Sequence, residues 1–183
     1  MSGIVRRCIG LALSTYAFVA FPVAAHAQGP NARAVLPGYD TPILLDTLGI
    51  ASPIAGNRDS IFTALTTVFA ALKIPVEQRD PRAGMLHNLN AEVLRRLGNT
   101  SLSVYFDCGR GFSGNNADVY RITLAVSAWV EPASGDPRRL HVAIAASARD
   151  PSGSRSAYAP CASRGALEDE IVKRVKRIIG DHT

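Results

Sequence analysis

The sequence predicts an α+β domain in two layers, an antiparallel sheet of four or five strands with two long helices packed on one face. Three observations lead there. Residues 101–149 hold three segments in which apolar and polar side chains alternate, as along a half-buried strand. Two further segments, near residues 59–74 and 165–179, carry apolar side chains at helical spacing. Cys108 and Cys161 fall where the expected strand order brings both to one corner of the sheet.

Arg6 and Arg7 precede an apolar run over residues 9–25, and Ala25-His26-Ala27 supplies the small residues a signal peptidase reads. A signal peptide over residues 1–27 is expected, because the run is short for a membrane anchor and carries Pro22 near its end. Cleavage removes two of the 20 Lys and Arg and none of the 15 Asp and Glu, lowering the formal charge from +5 to +3. The remaining basic residues are spread along the chain. Charge therefore implies no nucleic acid, and membrane contact only through the signal peptide before cleavage.

Residues 28–58, rich in proline, glycine and small side chains, read as an extended linker or arm. Its simplest state is a poorly ordered N-terminus, and its functional one an arm that docks on a sheet edge. One α+β domain then spans residues 59–180, long enough to close a core. Asp59 or Ser60 is a natural N-cap, and Ile61, Leu65, Val68, Phe69 and Leu72 form the apolar stripe of the first helix, which ends before Pro75.

Residues 75–80 read as an edge strand, 80–84 as a turn and 85–87 as a short returning strand. Asn88 or Asn90 then caps a short helix with Val93, Leu94 and Leu97 inward, stopped at Gly98-Asn99.

The three central strands follow. In the first, Leu102, Val104, Phe106 and Cys108 share one face. In the second, Ile122, Leu124, Val126, Ala128 and Val130 do so, and in the third Leu140, Val142, Ile144, Ala146 and Ala148. A slip of one residue would turn each row over, so the pattern also sets the register, with Trp129 opposite His141 and Glu131 opposite Arg139. The turn at 132–137 joins the last two. The final helix, residues 165–179, carries Glu168, Asp169 and Glu170 early and Lys173, Arg174, Lys176 and Arg177 late, which complements its dipole.

The first strand ends at Cys108, and the third returns to that edge shortly before Cys161. In a compartment where thiols oxidise, a Cys108–Cys161 disulfide is the expectation. It would clip the last helix onto the sheet.

Chemistry is scarcely signalled. His87, His141 and His182 are isolated from one another, so no metal is expected, and the glycine-rich loop 109–116 leads into a strand without the lysine of a phosphate loop. No Gly-x-Ser-x-Gly occurs, and Asp107, Asp118 and Asp150 near one sheet edge are ordinary strand-end carboxylates. Neither a cofactor nor an enzymatic activity is expected.

Two surfaces stand out instead. The face carrying Tyr105, Trp129 and His141 is unusually rich in small residues for exposed sheet, so either the arm or another protein would rest on it. The loop-rich end offers Arg110, Asn115, Asn116 and Arg155. The expected function is a periplasmic or secreted, non-catalytic interaction or scaffold domain of the bacterial cell envelope, with a protein partner. A small-ligand module with a cavity between helices and sheet, lined by Tyr120, Phe69 and Leu167, is the alternative.

Overall fold

A computed structural model describes residues 32–131, 137–151 and 158–180. The expected signal peptide, most of the 132–137 turn and Arg155 lie outside the described residues. The arm contributes β1 (Arg33–Ala34), β2 (Ile43–Leu44), a 3-10 turn (Leu45–Thr47) and β3 (Ile50–Ile54). Helix α1 (Arg58–Ala71) leads to β4 (Gln78–Asp80) and the long β5 (Met85–Leu94). Short elements follow: β6 (Arg96–Leu97), β7 (Thr100–Ser101), α2 (Leu102–Tyr105), β8 (Phe106–Asp107), β9 (Arg110–Gly111), β10 (Gly114–Asn115) and α3 (Asn116–Val119). The long strands β11 (Arg121–Val130) and β12 (Arg138–Arg149), then β13 (Ala159–Ser163) and α4 (Ala166–Ile179), complete the described chain.

The expected fold class is corrected on two counts. The main sheet has seven antiparallel strands, in the order β4-β5-β11-β12-β13-β8 with β3 also on β12, and strand outweighs helix. Among the described residues only two of the four α-helices exceed one turn, so the domain is a sheet with helical cover rather than two long helices on a small sheet.

The hairpin β11–β12 has the register that alternation implies. Trp129 faces His141, and the Glu131 amide donates to the Arg139 carbonyl at 3.0 Å. Ile122, Leu124, Val126, Ala128 and Val130, with Leu140, Val142, Ile144, Ala146 and Ala148, are all buried in the core under α1 and α4. Helix α1 begins where Asn57, rather than Asp59 or Ser60, accepts a hydrogen bond from the Ser60 amide at 2.8 Å. It ends with Lys73 in the left-handed region and the Ile74 amide donating to the Phe69 carbonyl, which closes the last turn before Pro75.

Residues 101–108 are not a central strand. Leu102, Tyr105 and Phe106 are buried while Val104 is half exposed, a spacing of three and four that makes the helical turn α2. The Asp118 carboxylate accepts the Ser103 amide at 2.9 Å, satisfying a donor at the start of that turn.

The third central strand is β5, which lies beside β11 over its whole length. A bulge between the partners of Leu124 and Val126 resets its alternation, so Leu86 and Asn88 face inward and then Ala91 and Val93. The asparagines that suggested a helix cap serve this bulge. Asn88 donates to the Pro75 carbonyl at 3.1 Å and accepts the Asn90 amide at 2.9 Å.

The arm lies across the outer sheet face. Ala32, Ala34, Leu36 and Leu45 form a second apolar cluster with Met85, Ala125, Trp129, Ala143 and Ala145, and β3 pairs with the edge of β12 from Arg138 to Val142. Small residues on that face let the arm's backbone approach closely.

Candidate functional site

The loop-rich end is built around the Cys108–Cys161 disulfide. Strands β13 and β8 pair Ala162 with Asp107 and Ser163 with Phe106, so the next rung places the two cysteines opposite each other, with Cα atoms 4.3 Å apart. Closing a loop across 53 residues removes denatured-state freedom worth about 4 kcal/mol in the chain-entropy model. The lead into α4 is held further by Arg164, whose guanidinium meets Asp107 at 3.1 Å and whose amide donates to the Tyr105 carbonyl.

From this corner β9 and β10 project as a hairpin in which Arg110 pairs with Asn115. Asn116 braces its base, its amide donating to the Gly109 carbonyl at 3.0 Å and its side chain to the Cys108 carbonyl at 3.1 Å. Asp107 accepts the Gly109 amide at 3.0 Å. A Cβ at residue 111 would lie 2.9 Å from Asn116 Oδ1, so Gly111 is what lets the strands close on the brace. Phe112 stands fully exposed at the tip.

The structure thus gathers Arg110, Asn115 and Asn116 in one hairpin, while Arg155 lies outside the described residues. The sheet-face trio does not assemble. Tyr105 belongs to α2 and is buried in the helix–sheet core, edge-on to Phe106. Trp129 is buried beneath the arm, stacked on His141 at 4.8 Å between ring centroids. His141 is half-buried, with Nε2 2.6 Å from Glu131 Oε1. Of the two covers expected for this face, the arm and another protein, the arm is the one that lies on it, with Trp129 buried beneath. The face had to be covered because its small apolar side chains and Trp129 would otherwise lie open to water.

Of the three strand-end aspartates, Asp107 pairs with Arg164 and Asp118 accepts the α2 amide, so these two are occupied separately. Phe69 and Leu167, expected to line a helix–sheet cavity, are wholly buried in the core, and the clefts described here have other walls. Among the described residues no group of three His, Cys, Asp or Glu is placed to hold a metal ion.

Two features escaped sequence reasoning. At the same end of the sheet Arg121 and Arg149 face each other across β11 and β12, in a cleft of about 230 Å³ completed by Glu92, Asp150 and Tyr158. Glu92 pairs with Arg121 at 2.8 Å, and the Arg149 guanidinium lies 5.4 Å from the Tyr158 ring centroid. This offsets the repulsion that like charges directly opposite would exert.

The second is Glu168, in the first turn of α4 yet only 6 % exposed. Its Oε1 accepts the Ser163 hydroxyl at 2.7 Å, and Ser163 Oγ in turn accepts the Gly165 amide at 3.1 Å. Its Oε2 is buried with no donor among the described residues, a state that costs about 1–3 kcal/mol or more for a charged group. Glu168 lines a cleft of about 370 Å³ with Tyr39, Leu48 and Ile144. Partial burial raises the Tyr39 hydroxyl above its ordinary pKa of 10.0, and that hydroxyl donates to the Ala146 carbonyl at 3.2 Å. No protein-family model matches the sequence, and no curated protein is significantly similar to it.

Proposed function

We propose that the chain is an exported, non-catalytic interaction domain of the bacterial cell envelope, and that hairpin β9–β10 is its contact element. The observation that carries this reading is Phe112, an aromatic side chain fully exposed on a hairpin fixed at its base by Asn116 and adjoining the disulfide. Covering a phenylalanine side chain gains about 1.5–3 kcal/mol, and a braced hairpin loses little freedom on binding. Arg110 beside it adds a charged rim. The disulfide is compatible with an oxidising compartment, and the signal-peptide pattern of residues 1–27 directs the chain to the periplasm or beyond. The partner is a protein offering an apolar pocket with acidic surroundings.

The test is photo-cross-linking in the intact envelope, with a photoreactive residue at position 112 and, as control, at Val35, which is also exposed. A discrete adduct at 112 that disappears when Arg110 is also changed to Glu supports the reading. Equal adducts at both positions, or none at 112, would refute it.

A further inference from the structure

The outer edge of β12 is covered by two different strands. β3 pairs with it from Arg138 to Val142 and β13 from Ala146 to Ala148, which leaves the interval Ala143–Ala145 between two strand ends. The cleft of about 370 Å³ opens at this interval, within the size range of small-molecule sites. Ile43, Leu48 and Ile144 give it apolar walls, and Tyr39, Ser163 and Glu168 its polar groups.

We propose that this cleft binds an aliphatic primary ammonium group, with Glu168 as its counter-ion and the apolar walls around its alkyl chain. The site goes beyond the hairpin reading and does not depend on it. Glu168 is more than nine-tenths buried and Oε2 has no donor among the described residues, because the nearby hydroxyl of Ser163 is already directed to Oε1. What the site lacks is a donor carrying positive charge. Among the described residues no basic side chain lines the cleft to supply one. A single carboxylate is too few oxygens for calcium or magnesium, which take six or more ligands, so an organic cation fits the donor set better than a metal ion. An ammonium brings three donors. Tyr39 Oη, which spends its own proton on the Ala146 carbonyl, keeps lone pairs to accept a second. The alkyl ammonium chemistry belongs equally to a free amine and to a lysine side chain of a polypeptide.

Titration of the oxidised protein, purified from a bacterial periplasm, with n-hexylammonium, 1-hexanol, hexanoate and Nα-acetyl-lysine amide by isothermal calorimetry tests this. Hexylammonium is expected to bind at least tenfold more tightly than hexanol, and hexanoate not at all. Binding of the lysine amide comparable to hexylammonium assigns the site to lysine side chains, and much weaker binding assigns it to free amines. Glu168→Gln keeps the shape and is expected to abolish the preference for the ammonium. Because that variant disturbs a buried group, Leu48→Arg at the exposed rim serves as the second, placing a competing cation at the cleft and weakening hexylammonium at least tenfold. Phe112→Ala should bind as the parent does, which separates this site from the hairpin. Hexanol binding as well as the ammonium, no binding of either, or full affinity in Leu48→Arg would overturn the proposal.

Discussion

Trp129 lies flat against His141 across the β11–β12 hairpin, the ring planes 13° from parallel and the centroids 4.8 Å apart. Both side chains sit on the outer sheet face, and the arm's Ala34, Leu36 and Leu45 close over Trp129 in one cluster. A tryptophan in this setting holds the fold together. Trp129→Ala should therefore destabilise the protein by about 3–5 kcal/mol, the usual cost of emptying a large aromatic site. Urea denaturation measures it, and a loss under about 1 kcal/mol would mean the arm does not pack there.

The disulfide gives a second expectation. Replacing Cys108 and Cys161 together with serine should lower stability by roughly 2–5 kcal/mol. Thiol labelling of the denatured, unreduced protein should find neither cysteine free, and stoichiometric labelling of both would refute the bridge.

Ser127 and Ser147 are wholly buried beneath the arm, and each hydroxyl lacks a hydrogen-bond partner among the described residues. Ser127→Ala removes an unsatisfied group and leaves the backbone intact. It should be neutral or stabilising by up to about 1 kcal/mol, read as an unchanged or higher Tm. A clear drop would show that the hydroxyl has a partner.

At the start of α1, Asn57→Ala removes the acceptor for the Ser60 amide. A loss of about 1 kcal/mol is expected, and Asn57→Asp should retain most of the stability. Equal losses in both variants would rule out capping as the cause.

The Tyr39 hydroxyl is raised above 10.0 by burial, so the folded state keeps this proton to higher pH than the unfolded chain does. The stability tied to it is fully present below pH 10 and is lost as pH rises through 10 to the folded value. Denaturation midpoints between pH 9 and 11 should fall more steeply for the parent than for Tyr39→Phe, whereas parallel curves would place Tyr39 in water.

How far the sequence led depended on whether one period ran unbroken. β11 and β12 alternate without interruption, so their type, register and core face were all legible. The Cys108–Cys161 bridge forms, but not through the strand order expected for it, because residues 101–108 are no central strand and it is β8 pairing with β13 that brings the cysteines together. Residues 101–108 satisfy both periods, since Leu102 and Phe106 lie on one face of a strand and also of a helical turn. Only the contacts of Tyr105 with the core decide between them. In β5 a bulge breaks the alternation, and its asparagines imitate a helix cap. The arm's apolar residues are scattered among prolines and glycines, with no period to betray that they cover a sheet. Glu168 was hidden among Asp169 and Glu170, whose joint position near the start of the helix is explained by the helix dipole, and only burial sets it apart.

The outer sheet face is interior, closed by the chain's own arm, and the proposed contact element is hairpin β9–β10 instead. Trp129 is the single tryptophan, which makes acrylamide quenching of its fluorescence a direct readout. Emission should be blue-shifted and poorly quenched in the intact protein, and become red-shifted and readily quenched when residues 28–48 are deleted from a chain that circular dichroism shows to be folded. A tryptophan already open to acrylamide in the intact protein would contradict it.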